Sequence, residues 1–130
     1  MRRSAREPNE LEKLFVERAN AGDIEGLLAL YEPGAVVSNG RGEVAVGLDR
    51  IGEFLGRLLA KRPHFDHSDQ APALCAGDLA LTSSRLSNGD ITAEIARRQA
   101  DGTWLWVIDQ FSTDSSRFRR DPSSHSQGTG

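Results

Sequence analysis

With 130 residues, 38 % of them hydrophobic and 27 % charged, the chain has the size and composition of one soluble domain with its own core. No apolar run approaches the ~18 residues that cross a bilayer, so a membrane partner is not expected. Net charge is −3, but residues 7–113 carry 10 basic and 17 acidic side chains, and so acidic a body excludes a nucleic-acid surface.

The start, Met1-Arg2-Arg3-Ser4-Ala5-Arg6, is basic but continues into polar residues where a secretory signal needs an apolar stretch. A single cysteine, Cys75, rules out an internal disulfide and fits a reducing compartment. Together they predict a cytoplasmic protein. Residues 1–8 read as a disordered lead-in ending at Pro8, and residues 9–113 as the folded domain. Residues 114–130 are rich in Ser, Arg, Gly and Asp and read as a disordered tail, with Arg117-Phe118-Arg119-Arg120 a solvated basic cluster.

Three helices are predicted first. Asn9 followed by Glu12 forms a capping-box pattern ahead of a stripe of Leu11, Leu14, Phe15 and Ala19. Asp23 caps a short second helix with Ile24, Leu27, Leu28 and Tyr31 on its inner face, stopped by Pro33-Gly34. The third starts near Asp49, carries Ile51, Phe54, Leu55, Leu58 and Leu59 at helical spacing, and ends at Pro63.

Strands are predicted at residues 35–38, 79–86, 91–98 and 104–109, with a weaker one at 65–73. Ser87-Asn88-Gly89-Asp90 and Asp101-Gly102 supply the hairpin turns. Helix, helix, short strand, helix and then an antiparallel meander make an α+β layout, with a curved sheet wrapped on a helix.

Three segments carry a resemblance. Ala21-Gly22-Asp23-Ile24-Glu25 through Tyr31-Glu32-Pro33-Gly34-Ala35-Val36-Val37, then Gly47-Leu48-Asp49-Arg50-Ile51, then Gln99-Ala100-Asp101-Gly102-Thr103-Trp104 through Asp109 stand in the order found in nuclear transport factor 2-like proteins. The chain resembles the SnoaL-like, ketosteroid-isomerase-like branch of that superfamily over residues 9–112. The resemblance implies a cystatin-like cone of curved antiparallel sheet on three N-terminal helices, a pocket for a small hydrophobic molecule, and a homodimer through the sheet. It does not fix a function, because this fold hosts many.

In ketosteroid isomerase a carboxylate base works with a Tyr and a protonated carboxyl that donate to the oxyanion. The resemblance puts the Tyr role on Phe15, the base on Asn39 and the second donor on Glu94. Two of the three roles are lost, so that mechanism is not expected. Glu94 stays chemically suggestive, since alternation sets Thr92, Glu94 and Ala96 on one strand face. Desolvated there, it would be held neutral and could donate or shuttle a proton; the alternative is an ion pair with Arg85 across the hairpin.

Asp109 is either a substitute base at the pocket mouth or a turn cap. The expected pocket residues are Phe15, Tyr31, Asn39, Phe54, His67, Arg85, Glu94 and Trp106, with Glu94 and Asp109 as catalytic candidates. His64-Phe65-Asp66-His67-Ser68-Asp69 does not define a metal site, because i and i+3 on a strand point to opposite faces. Cys75 between Leu74 and Ala76 reads as a small buried side chain. No glycine spacing suits a phosphate, and no cofactor is expected. The expected function is therefore ligand binding, with cofactor-independent acid–base chemistry of isomerase, cyclase or dehydratase type. The competing reading is a non-catalytic association domain whose pocket is filled by side chains.

Overall fold

A computed structural model describes residues 2–113; the predicted basic tail, 114–130, lies outside the described residues. Helix α1 spans Glu10–Asn20, α2 Ile24–Leu28 and α3 Leu48–Ala60. The strands are β1 Tyr31–Ser38, β2 Val44–Val46, β3 Asp69–Gln70, β4 Leu74–Ala76, β5 Leu79–Arg85, β6 Ile91–Arg98 and β7 Trp104–Thr113. They form one sheet in the order β2-β1-β7-β6-β5-β3, with β4 also paired to β5. All described pairings are antiparallel except β1 with β7, which is parallel because α3 and the meander intervene between them.

The core lies between the helices and one sheet face. Leu11 and Leu14 of α1, Leu27 of α2, Ile51 and Leu55 of α3 and Val37 of β1 are all nearly solvent-free, each side chain contributing roughly 1.5–3 kcal/mol by burial. Helix α3 is entered through Gly47 at φ +86°, a left-handed backbone open to glycine. The N–H of Gly47 donates to Ala35 O at 2.9 Å and fixes α3 against β1.

Several expectations are corrected. The capping box does not form: Asn9 is itself helical in backbone, and its amide donates instead to Ala71 O. Glu10 takes the capping role, accepting from the N–H groups of Arg6 and Glu7. The Asp23 cap is present and accepts from Gly26 N at 3.0 Å. Arg2 holds the same carboxylate and, with that backbone bond, lowers its pKa to about 2.

Residues 2–8 are not a free lead-in. Ala5 is 2 % exposed, its carbonyl accepts from Trp104 N, and the buried Arg18 guanidinium donates to Arg3 O and Gly26 O. Tyr31 opens β1 and does not belong to α2, and Pro33-Gly34 sit at an irregularity within that strand. Of residues 65–73 only Asp69–Gln70 pair as a strand, and Cys75 is exposed. Among the described residues no helix is long and apolar enough to span a membrane.

Candidate functional site

The inner face of the sheet is built from alternate residues. Ala80, Thr82 and Ser84 of β5 and Thr92, Glu94 and Ala96 of β6 are buried, while their neighbours point outward or are partly covered. On β7 plain alternation from Trp104 and Trp106 would aim Asp109 outward. A bulge prevents this: Ile95 pairs with Ile108 but Ala96 pairs with Trp106, so Val107 is an extra residue. The bulge reverses the facing of the residues beyond it and turns Asp109 inward, where it is 3 % exposed.

Glu94 and Asp109 are direct register partners on adjoining strands, so their side chains leave the same face side by side, with Cβ atoms ~5 Å apart. Thr82 Oγ1 donates to Glu94 Oε1 at 2.6 Å, and Tyr31 O–H donates to Asp109 Oδ2 at 2.6 Å. Burial raises the Glu94 pKa; the Thr82 and Thr92 hydroxyls oppose the rise, and the charge of Glu12 adds to it. Asp109 is raised well above the ordinary carboxylate value, by burial first and the neighbouring Glu94 second, with the Tyr31 hydrogen bond opposing. Tyr31 is itself held protonated, by burial and then by Asp109. The arrangement favours the neutral form of the pair, since two adjoining buried carboxylates resist ionising together.

Above the pair lies a cavity of about 260 Å³. Its apolar walls are Phe15, Phe65, Trp106, Phe111 and Leu58. Phe15 is the hub, with ring centroids 5.9 Å from Phe65, 6.0 Å from Trp106 and 5.6 Å from Phe111. The wall residue Phe65 lies after α3 in an irregular segment, yet it is held from both sides. Asn20 donates to Phe65 O at 2.9 Å and accepts from Phe65 N at 2.8 Å. The indole Nε1 of Trp106 is buried with no hydrogen-bond acceptor.

Of the residues expected from sequence, Phe15, Glu94, Trp106 and Asp109 line this cavity. Tyr31 stands beneath it and reaches it through Asp109. Asn39 and Phe54 line a separate groove of about 500 Å³ with Arg41, Arg57 and Lys61, beyond a partition of Leu58 and Phe111. His67 is exposed and lines neither space. Arg85 is exposed on the opposite sheet face and pairs in register with Ile91 and Asp69. Strand parity therefore forbids the Glu94–Arg85 ion pair, and Thr82 is the partner instead. His64 meets Asp66 at 3.2 Å, and among the described residues no three His, Cys, Asp or Glu side chains gather as a metal site.

Sequence reasoning missed Thr82, Glu12 and Phe111 as lining or supporting residues of the site. The first was legible as a polar residue alternating with the leucines of its strand. The others depend on long-range packing that no local pattern encodes.

A curved sheet closed by three helices around an inward-facing pocket defines the cystatin-like, nuclear transport factor 2-like class. The sequence matches the SnoaL-like domain over residues 13–120, and the chain belongs to that family. No curated protein matches the chain significantly.

Solved structures share the fold at low identity. A protein from Thiobacillus denitrificans, named for the calcium/calmodulin-dependent protein kinase type II association domain, is 14 % identical with a TM-score of 0.70, over 86 % of this chain and 98 % of that one. A SnoaL-like protein of unknown function from Burkholderia thailandensis is 18 % identical with a TM-score of 0.56, over 82 % and 94 %. A protein from Streptomyces avermitilis, named as a dehydratase of the nuclear transport factor 2-like family, is 14 % identical with a TM-score of 0.63, over 78 % and 90 %.

Proposed function

We propose that the chain binds a small, largely apolar molecule carrying a carbonyl-type oxygen and performs cofactor-independent acid–base chemistry on it through Glu94 and Asp109. The observation that carries this reading is the pair itself: two buried carboxyls, side by side, beneath an aromatic cavity. Like charges so close share a proton before both ionise. The neutral member donates its proton to the ligand oxygen while the charged member takes one from the adjacent carbon, and both are returned when the product forms. Tyr31 and Thr82 are positioning residues that hold the two carboxyls through one oxygen each. Such chemistry serves an isomerase, a cyclase or a dehydratase alike, and the name of the Streptomyces relative fits the last.

The test uses 4-phenyl-2-butanone in deuterated buffer. Wild-type protein is expected to raise its melting temperature on binding and to speed deuterium uptake beside the carbonyl. Glu94→Gln and Asp109→Asn should each slow that uptake roughly 10²–10⁴-fold, the usual weight of a positioned acid or base, while Arg98→Gln leaves it unchanged. Uptake at the buffer rate with no thermal shift would overturn the reading. A non-catalytic association domain with a filled cone is less well supported, because about 260 Å³ stays open beside Phe15 and Trp106. The reading includes a homodimer through the outer sheet face and a cytoplasmic setting.

A further inference from the structure

The groove beyond Leu58 and Phe111 differs from the aromatic cavity in its charge. Its volume of about 500 Å³ falls within the roughly 300–1,000 Å³ of small-molecule sites. Its apolar wall is made by Phe54, Leu58 and Phe111, with the Phe54 and Phe111 ring centroids 5.2 Å apart. Three cations share the lining, Arg41, Arg57 and Lys61, against one carboxylate, Glu43.

The loop between β1 and β2 decides which of these charges are committed. Asn39 Oδ1 accepts from the N–H groups of Arg41 at 2.7 Å and of Glu43 at 3.2 Å, which ties the loop into one turn. Gly40 and Gly42, at φ +76° and +100°, supply the left-handed backbone that the turn needs. Arg57 then pairs with Glu43, and the Asn39 amide donates to the same carboxylate at 3.5 Å. Among the described residues, neither the Arg41 guanidinium nor the Lys61 ammonium has a hydrogen bond or an ion pair. Two uncommitted cations thus stand beside an aromatic and aliphatic wall, on a domain that is otherwise acidic.

That pairing of features suits a carboxylate with an apolar body. Guanidinium and ammonium hold the head by charge-assisted hydrogen bonds, while the wall takes the body out of water. An ammonium ligand meets repulsion at the same place. So does the chain's own Arg117-Phe118-Arg119-Arg120 segment, whose charge has the wrong sign. We propose that this groove is a second binding site, for a monocarboxylate with a hydrocarbon body, its head at Arg41 and Lys61 and its body against Phe54, Leu58 and Phe111. The site goes beyond the reading of the cavity and uses neither Glu94 nor Asp109.

The experiment compares octanoate, 1-octanol and octylamine by calorimetric titration of the full chain at low ionic strength. Octanoate should bind roughly tenfold or more tightly than the alcohol, and the amine more weakly than both. Arg41→Gln and Lys61→Gln should each cut the preference for octanoate over octanol severalfold and leave the alcohol's Kd in place. Both side chains are exposed, so both variants are expected to fold. Amide NMR shifts on adding octanoate should gather at residues 39–43 and 57–61. Equal binding of acid and alcohol, or no binding of octanoate, overturns the proposal. So does a preference that survives in both variants while Lys61→Gln only lowers the melting temperature, since Lys61 would then serve merely to cap α3. Shifts centred on Thr82, Glu94 and Asp109 would put the acid in the cavity, which also overturns the groove while leaving the cavity a ligand site.

Discussion

At the scale of single residues, the contrast between Glu94 and Asp109 and the other acids of the chain is one of solvation. Asp23 is bonded by Arg2 and a backbone N–H and ionises easily. Asp109 is buried against a second carboxyl and resists ionisation. For Asp23 the folded pKa lies below the free value, so its contribution is present above that value and is lost as pH falls toward about 2. For Glu94 and Asp109 the folded pKa lies above the free value. Their contribution is complete below the free carboxylate pKa and declines as pH rises toward the folded one. Each pH unit over which a carboxyl stays protonated beyond its free value corresponds to about 1.4 kcal/mol. Asp109→Asn keeps an oxygen for the Tyr31 hydroxyl and offers an amide to Glu94. It is expected to flatten the fall in melting temperature as pH rises above the free carboxylate value of about 4 and to match or exceed wild type once both carboxyls would ionise. Parallel melting curves for the two proteins across that range would show that Asp109 carries no ionisation cost.

At the scale of elements, the segment before α1 behaves as part of the domain. Removing residues 1–8 takes away the carbonyls that serve Trp104 N–H and the buried Arg18 guanidinium. A stranded buried donor costs about 1–3 kcal/mol, so the truncated chain should melt roughly 5–10 °C lower; an unchanged midpoint in a thermal melt would contradict the role given to Ala5 and Arg3.

That segment was not legible in sequence, because Met1-Arg2-Arg3-Ser4-Ala5-Arg6 has one small apolar residue and no period. Helix α3 was legible, since Ile51, Phe54, Leu55 and Leu58 repeat at helical spacing, and β6 matches its predicted bounds because Asn88-Gly89 and Asp101-Gly102 punctuate it on both sides. The inward turn of Asp109 was hidden. It depends on one extra residue at Val107, a bulge defined by pairing with β6 and by nothing local. Glu94 could be found by alternation alone, whereas its partner required the sheet.

At the scale of the whole molecule, the strand pattern is inverted from that of a sheet with one dry face. In β5 the leucines point out, with Leu79 and Leu81 each 42 % exposed, while Ala80, Thr82 and Ser84 point in. Register extends this into a row. Leu74 pairs with Leu81, Leu81 with Ile95, Ile95 with Ile108, Ile108 with Val36, and Val36 with Val46. One large aliphatic residue per strand thus crosses six strands on the outer face, with Leu74 68 % and Val46 60 % exposed. A continuous apolar band of this kind on a folded chain marks an association surface, and a flat sheet face fits a second copy of itself through a two-fold axis. Wild-type protein is expected to scatter light as a dimer. Ile108→Lys, placed in the middle of the row, should shift it to monomer with little loss of fold, because the side chain is 48 % exposed in the single chain. A wild-type monomer at micromolar concentration, or a variant that stays dimeric, would move the interface off this face. The apolar outer face would then need another reason for its pattern. Under the proposed function, a dimer would give one reason for both faces: an outside apolar to pair the sheets, and an inside that carries Thr82, Glu94 and Asp109 to act on a ligand.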